Sequence, residues 1–317
     1  MNDSPHIMVI YTGGTIGMME DPESKTLHPF DFEHLSAQIP ELNKLDCDIT
    51  PFTIHQPVDS SNMSPGLWRE LVTIIETNYK LYDGFVILHG SDTMAYTASA
   101  LSFMLENLGK PVVLTGSQLP IGVIRTDGKE NFLTAVEIAA ARNARGWPRV
   151  PEVCVYFEYK LYRGNRTFKQ SAEHFEAFVS PNYPTLAEAG VHIKYNRDDI
   201  LPYPEESLTT HTVLNENIGI LYLFPGIGLD LVQAVLNPEK FKAVILYTFG
   251  AGNAPSAPWF LRQIQRATEA GLILVNITQC TSGTVNQTLY ATGRELEKMG
   301  VISGKDMTME AALSKLM

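Results

Sequence analysis

This chain has little that could cross-link it. Its 317 residues include three cysteines, Cys47, Cys154 and Cys280, far apart and odd in number. No CxxC pair occurs, so neither a disulfide framework nor a zinc ribbon is supported. Cys154 lies in the apolar run Val153–Phe157 and reads as a buried small hydrophobe. Basic residues are also scarce: 24 Lys and Arg stand against 35 Asp and Glu, a net charge of −11. That balance argues against a basic face for nucleic acid or for an anionic membrane. No apolar run approaches the roughly 18 residues that a membrane helix needs. The N-terminus has no basic stretch, and the apolar run Ile7–Tyr11 is too short for a signal-peptide core. The expected location is therefore cytoplasmic. None of the eight histidines forms an H-x-x-x-H pair, so no zinc site is expected.

What is present is an ordinary globular composition, 44% hydrophobic and 19% charged, which excludes general disorder. Short β-branched runs alternate with amphipathic segments. The runs are Ile7–Thr12, Ile49–His55, Phe85–His89, Val112–Thr115, Val153–Phe157, Ile218–Leu223, Ala243–Phe249 and Leu272–Ile277. Several are apolar throughout, as strands covered on both faces should be. Helical patterns fall at Pro65–Tyr79, Met94–Leu108, Gly128–Ala144, Leu229–Leu236, Pro258–Ala270 and Val285–Met299. Ser64 and Pro65 read as N-cap and first helical position. Gly109 and Gly271 read as C-terminal stops. The alternation predicts an α/β fold with a parallel sheet. The segment 191–216 lacks periodicity and reads as a linker between domains at 1–190 and 217–317. The chain stops at Met317 inside a last helical pattern, Met307–Met317.

Ligands of open α/β sheets bind outside the carboxyl ends of the strands. The first four strands are followed by Thr12-Gly-Gly-Thr-Ile-Gly17, Asp59-Ser-Ser-Asn62, His89-Gly-Ser-Asp-Thr93 and Thr115-Gly-Ser-Gln118. Hydroxyls and carboxylates thus sit beside glycines, which permit positive φ and close backbone approach. That composition suits a small polar substrate carrying a carboxylate and a carbonyl. The first loop is not G-x-G-x-x-G, no G-K-[ST] follows it, and no G-x-S-x-G elbow occurs. Singly, each loop reads as a turn or a helix cap, Lys169 as a surface lysine, and His89 as a structural hydrogen-bonder. Together, at the strand ends of one sheet, they read as chemistry. With no metal, cofactor or evident histidine base, that chemistry is a hydroxyl nucleophile activated by Lys or Asp.

Tyr11-Thr-Gly-Gly-Thr-Ile-Gly17, Asp83-Gly-Phe-Val-Ile-Leu-His-Gly-Ser-Asp-Thr-Met94 and Leu161-Tyr-Arg-Gly-Asn-Arg166 resemble the L-asparaginases of the bacterial cytoplasmic type (type I). Thr248-Phe-Gly-Ala-Gly-Asn-Ala-Pro255, Val275-Asn-Ile-Thr-Gln-Cys280 and Gly300–Thr308 extend the resemblance over essentially the whole chain. It implies a larger N-terminal parallel-sheet domain and a smaller C-terminal α/β domain. It implies homodimers, often paired into tetramers, with each site closed by a neighbouring C-terminal domain. It implies cofactor-free hydrolysis of L-asparagine to L-aspartate and ammonia. Thr15 matches the nucleophile that forms the acyl-enzyme. Ser91, Asp92 and Lys169 match a second hydroxyl–carboxylate–lysine set. Asp59, Ser60 and Ser61 match the loop for the substrate α-carboxylate, and Asp92 the partner of its α-ammonium. Ser117 joins the candidate substrate-binding residues, and Asn253 matches a residue reaching the partner subunit's site. Burial favours a lysine's neutral form and a carboxylate neighbour its ammonium, so which set activates Thr15 stays open.

Some positions depart from the family. Ser91 stands where threonine is usual, keeping the hydroxyl but losing the methyl that stiffens the rotamer. No tyrosine occurs in Gly17–Pro29, where many members have one; Leu27 takes its place. Asn62 replaces an aspartate. Around an effector pocket matched by Phe168, Tyr247 and Thr278–Cys280, Tyr247 replaces the arginine that would pair an effector carboxylate. Weak or absent activation by substrate is therefore expected. Members usually continue beyond the final helix, so a tail past Met317 is implied. Asparagine is expected over glutamine, although one methylene is worth only about 1–3 kcal/mol. A broad-specificity glutaminase/asparaginase and an inactive amino-acid-binding homologue are the alternatives.

Overall fold

A computed structural model describes residues 4–20, 27–29, 39–289 and 291–317. The chain divides into two compact units, Met1–Thr212 and Val213–Met317.

The first unit is built on an eight-stranded sheet. Its spatial order is Ile193–Tyr195, Ala187–Ala189, Lys160–Arg163, Val153–Phe157, Val112–Thr115, Gly84–Leu88, His6–Tyr11 and Asp48–Thr53. The last five run parallel. The His6, Gly84, Val112 and Val153 strands are apolar because both faces are covered: Ile7, Val9, Val86, Val113 and Val155 are fully buried. Helix Pro65–Asn78 starts where Ser64 Oγ accepts the Leu67 N–H at 3.4 Å. It buries Trp68, Leu71, Val72 and Ile75, one stripe at helical spacing. Helix Met94–Met104 is buried on nearly every side, and Gly128–Ala140 packs Phe132, Ala135, Val136 and Ile138 into the same core as Val9 and Val86.

Three expectations need correcting here. The sheet is mixed, because Val153–Phe157 turns back into Lys160–Arg163, and Ala187–Ala189 and Ile193–Tyr195 add antiparallel. The turn places Glu158 and Tyr159 at φ 45° and 67°. Such hairpin turns ordinarily advertise themselves with Asn or Gly, and this one does not. Ile193–Tyr195 also belongs to the sheet, so the first unit runs past 190 into the stretch read as linker. Helix Met94–Met104 stops short of Gly109, because Leu105–Glu106 pairs with Thr209–Thr210. Among the described residues no helix is long and apolar enough to cross a membrane.

The second unit carries a four-stranded parallel sheet, Ile218–Tyr222, Ala243–Thr248, Ile273–Thr278 and Ile302–Ser303. Helix Pro258–Glu269 buries Phe260, Ile264 and Ala267 and ends at Gly271, φ 86°. There Gly271 N–H donates to Thr268 O at 2.9 Å and Leu272 N–H to Ala267 O at 3.0 Å. These two bonds close the helix end as a glycine at this position allows. The helix expected at Val285–Met299 occupies Ala291–Lys298. Val285 N–H is instead bonded to Lys305 O at 2.8 Å. The last helix is Met309–Leu316, capped by the Thr308 hydroxyl.

Candidate active site

Thr15 opens a single 3-10 turn, Thr15–Gly17, directly after the strand His6–Tyr11. Gly13 and Gly14 before it hold φ 111° and 87°, backbone that a side chain resists. The turn is held from three sides. Thr12 N–H and hydroxyl both donate to Leu88 O at 3.0 Å, and Val58 N–H donates to Thr12 O at 2.9 Å. A Cβ on Gly14 would sit 2.4 Å from Gly90 Cα. Gly14 and Gly90 therefore touch backbone to backbone, and the residues that follow them are Thr15 and Ser91. Thr15 is half-buried, and its hydroxyl has no hydrogen-bond partner among the described residues.

Ser91 is fully engaged. Lys169 Nζ donates to Ser91 Oγ at 2.8 Å and to Asp92 Oδ1 at 2.7 Å. Lys169 comes from the short strand Phe168–Lys169, and its side chain is only 17% exposed, whereas Asp92 is 65% exposed. The surface-lysine reading thus fails: the aliphatic stem is buried and the ammonium is fixed. The Ser91 hydroxyl donates to Gln118 Oε1 at 3.2 Å. Gln118 Nε2 donates to His174 O at 3.1 Å, which leaves Oε1 to face Ser91.

Gln118 was not among the sequence candidates, although it ends a quoted strand-end motif. Its backbone is pinned too. Asp127 accepts the Gln118 N–H at 2.9 Å and the Leu119 N–H at 3.1 Å. Ser117, by contrast, is 2% exposed and lies against Gly128 at the start of a helix. Its hydroxyl is buried without a partner among the described residues.

His89 is fully buried, and burial pushes its imidazole down to about 4, so it is neutral near pH 7. Nδ1 lies 2.7 Å from Gly90 O and Nε2 lies 2.9 Å from Thr97 Oγ1. A carbonyl can only accept, so Nδ1 carries the hydrogen and Nε2 accepts from Thr97. Trp68 Nε1–H donates to the same hydroxyl at 3.0 Å. Every proton in that chain is accounted for, which leaves His89 a structural tie and not a base.

Asp59, Ser60 and Ser61 form the next strand-end turn. Asp59 Oδ1 accepts the Ser61 hydroxyl at 2.6 Å and the Ser61 N–H at 2.8 Å. The Ser61 hydroxyl first, and its N–H second, hold the Asp59 carboxyl below its usual range. Ser60 is 4% exposed, and its Oγ lies where a Cβ on Gly90 would be, 2.5 Å away. Thr93 donates its hydroxyl to Ser60 O at 2.7 Å. The Asp59, Thr15 and Ser91 loops are thus one packed edge of a single sheet.

Asn253 belongs to the second unit, after its strand Ala243–Thr248. It closes a turn by exchanging backbone bonds with Phe249 at 2.8 and 3.0 Å, and its Oδ1 accepts the Thr292 hydroxyl at 3.2 Å. Tyr247 packs edge-on against Tyr222, ring centroids 5.1 Å apart. Cys280 N–H donates to Thr278 Oγ1 at 3.0 Å. The backbone of Leu27 pairs with Glu20 in a short hairpin. Its side chain, and residues 21–26, lie outside the described residues, as does the question of what replaces the tyrosine. Among the described residues no three His, Cys, Asp or Glu side chains gather as around a metal ion.

A family profile described as "Asparaginase, N-terminal" matches residues 6–201, and "Glutaminase/Asparaginase C-terminal domain" matches 217–317. The chain is 47% identical over 313 residues to "L-asparaginase 1" of Escherichia coli (strain K12), covering 98% of this chain and 90% of that one. Its fold is similar to that of L-asparaginase I from Vibrio cholerae, with TM-score 0.88, 43% identity and coverage of 98% and 91% of the two chains. The thermostable L-asparaginase from Thermococcus kodakarensis gives TM-score 0.88 at 31% identity, with coverage of 98% and 92%.

Proposed function

The chain belongs to the asparaginase family, and we propose that it hydrolyses L-asparagine to L-aspartate and ammonia with Thr15 as nucleophile. One observation carries the assignment of roles. The Gly14–Gly90 contact packs the turn carrying Thr15, whose hydroxyl has no partner among the described residues, against the loop whose serine is bonded to a lysine. A lone hydroxyl is a poor nucleophile and needs a group to take its proton. The Ser91–Lys169–Asp92 cluster is the neighbouring set able to move or balance a proton.

Thr15 Oγ attacks the amide carbon and its proton leaves with the nitrogen as ammonia. Water then splits the aspartyl ester, one proton returning to Thr15 and the hydroxyl going to the product carboxyl. The Asp59–Ser61 turn takes the α-carboxylate, with the Ser60 hydroxyl as the donor that no described residue engages, since the Ser61 hydroxyl and N–H are held by Asp59. Asp92, two-thirds exposed, takes the α-ammonium without leaving Lys169. Lys169 is the cation of this site in a chain of net charge −11 that must hold an anionic product.

The active form is a homodimer, or a pair of them, in which Asn253 serves the site of a second copy. In support, its Oδ1 is occupied by Thr292 while its amide nitrogen has no partner among the described residues. A cytoplasmic location follows the resemblance to type I enzymes. Ammonia release from L-asparagine and from L-glutamine tests the reading. Asparagine turnover that Thr15→Ala abolishes, with L-aspartate binding kept, supports it. Equal turnover of both amides would make the enzyme a broad glutaminase/asparaginase, and binding without turnover an inactive homologue.

A further inference from the structure

Thr93 occupies the N-cap of helix Met94–Met104 but does not cap it. An N-cap threonine ordinarily turns its oxygen to an N–H of the first helical turn, worth about 1 kcal/mol. Here the hydroxyl donates instead to Ser60 O, 33 residues away in sequence, at 2.7 Å. A local rule broken in this way marks a place where something other than helix stability is served.

The peptide unit that receives the bond explains what. Ser60 O is held by Thr93, and by Met63 N–H at 3.1 Å. The other end of that unit, Ser61 N–H, is held by Asp59 Oδ1 at 2.8 Å. One peptide plane is thus clamped at both ends, and the Asp59 carboxylate is oriented through it. Thr93 itself follows Asp92 directly. The bond therefore fixes the spacing between the loop proposed to take the α-carboxylate and the residue proposed to take the α-ammonium. Gly90 adds a second contact between the same loops, since Ser60 Oγ fills the space of its missing side chain.

We propose that Thr93 is a positioning residue that sets substrate selectivity for an α-amino acid by holding the Asp59–Ser61 turn at a fixed distance from Asp92. This rests on the site reading above. A ligand that carries both α groups senses the spacing; a ligand with only a carboxylate there does not.

The test is steady-state kinetics and competitive inhibition of Thr93→Val and Thr93→Ser in the full chain. Thr93→Val keeps the shape and loses the donor. It should raise KM for L-asparagine about tenfold, the size of one lost hydrogen bond to a buried acceptor, with kcat within about twofold. Inhibition by L-aspartate should weaken about tenfold while inhibition by succinate, which lacks the α-ammonium, changes little. Thr93→Ser should behave as the parent. An unchanged KM, or equal losses for both inhibitors with kcat falling alongside, overturns the proposal, because a merely structural bond would act in that unselective way. If Thr93→Val does not fold, Thr93→Ala is read by the same ratio. If the parent does not turn over asparagine, the functional reading fails on its own. The aspartate-to-succinate ratio measured by calorimetry then still decides whether Thr93 sets the spacing.

Discussion

Thr15 and Ser91 are two hydroxyls in matched settings with opposite surroundings. Each follows a glycine at the carboxyl end of a parallel strand, and the two glycines touch. Around Ser91 the hydroxyl both accepts and donates: Lys169 donates to its oxygen and its own hydrogen points at Gln118. The Thr15 hydroxyl has no such bond among the described residues. A hydroxyl whose lone pair already faces an ammonium is a weak attacker but a good relay. A hydroxyl with no partner is free to meet a carbonyl. On the proposed reading, the nucleophile belongs to the turn whose hydroxyl has no partner among the described residues and charge handling to the bonded one, although the sequence presents both as small polar residues beside glycine.

The comparison breaks at its strongest point if Thr15→Ala keeps turnover. Loss of the nucleophile should lower kcat by about 10⁴-fold or more, by analogy with other hydroxyl nucleophiles. Ammonia release reads it, with calorimetric L-aspartate binding as the control.

Lys169→Met should be the next largest. It removes the donor to Ser91 and leaves Asp92 unpaired, so kcat should fall about 10²- to 10⁴-fold, the range of general acid–base contributions. A loss confined to KM would reassign Lys169 to binding alone.

Gly14→Ala attacks the contact that packs the Thr15 turn against the Ser91 loop. It combines a positive-φ position with a Cβ 2.4 Å from Gly90 Cα. A cost of about 1–3 kcal/mol in stability is expected together with reduced turnover. Thermal unfolding and kcat should fall together.

Ser91→Thr tests how firmly the bonded hydroxyl is held. The added methyl should hold the rotamer that bonds Lys169 and raise kcat modestly. An unchanged or lower kcat would show that Lys169 and Gln118 already fix Ser91.

The smallest effect on turnover should come from the second unit. Glu310 is 6% exposed with one oxygen unpartnered among the described residues, and burial raises its carboxyl above the usual range. Its folded form therefore binds the proton more tightly than the unfolded chain does. The stability this gives is full below the ordinary glutamate range and is lost as pH rises through the raised folded value. Glu310→Gln should remove that slope, raising Tm at neutral pH while leaving kcat unchanged. The rate curve against L-asparagine should meanwhile be hyperbolic, given Tyr247 in place of a cation.

Strand-end loops were legible because glycine and hydroxyl clusters after apolar runs are a pattern of composition. Val112–Thr115 and Val153–Phe157 emerge with the bounds read from sequence. The antiparallel half of the large sheet was not legible. Its hairpin turns on Glu158 and Tyr159, and its strands at Ala187 and Ile193 are three residues long, too short to carry a period.

The family, the α/β alternation and the residues at the sheet edge can be read from the amino-acid order alone, because motifs and periodicity are local. Which of those residues are bonded to which is set by the fold. It separated Thr15, unbonded among the described residues, from the engaged Ser91, turned Ser117 against Gly128, brought in Gln118, and moved the Thr93 hydroxyl from its own helix to a distant turn. Hydrogen bonds across 27, 33 and 78 residues of separation depend on how strands are ordered in space, which no local pattern encodes.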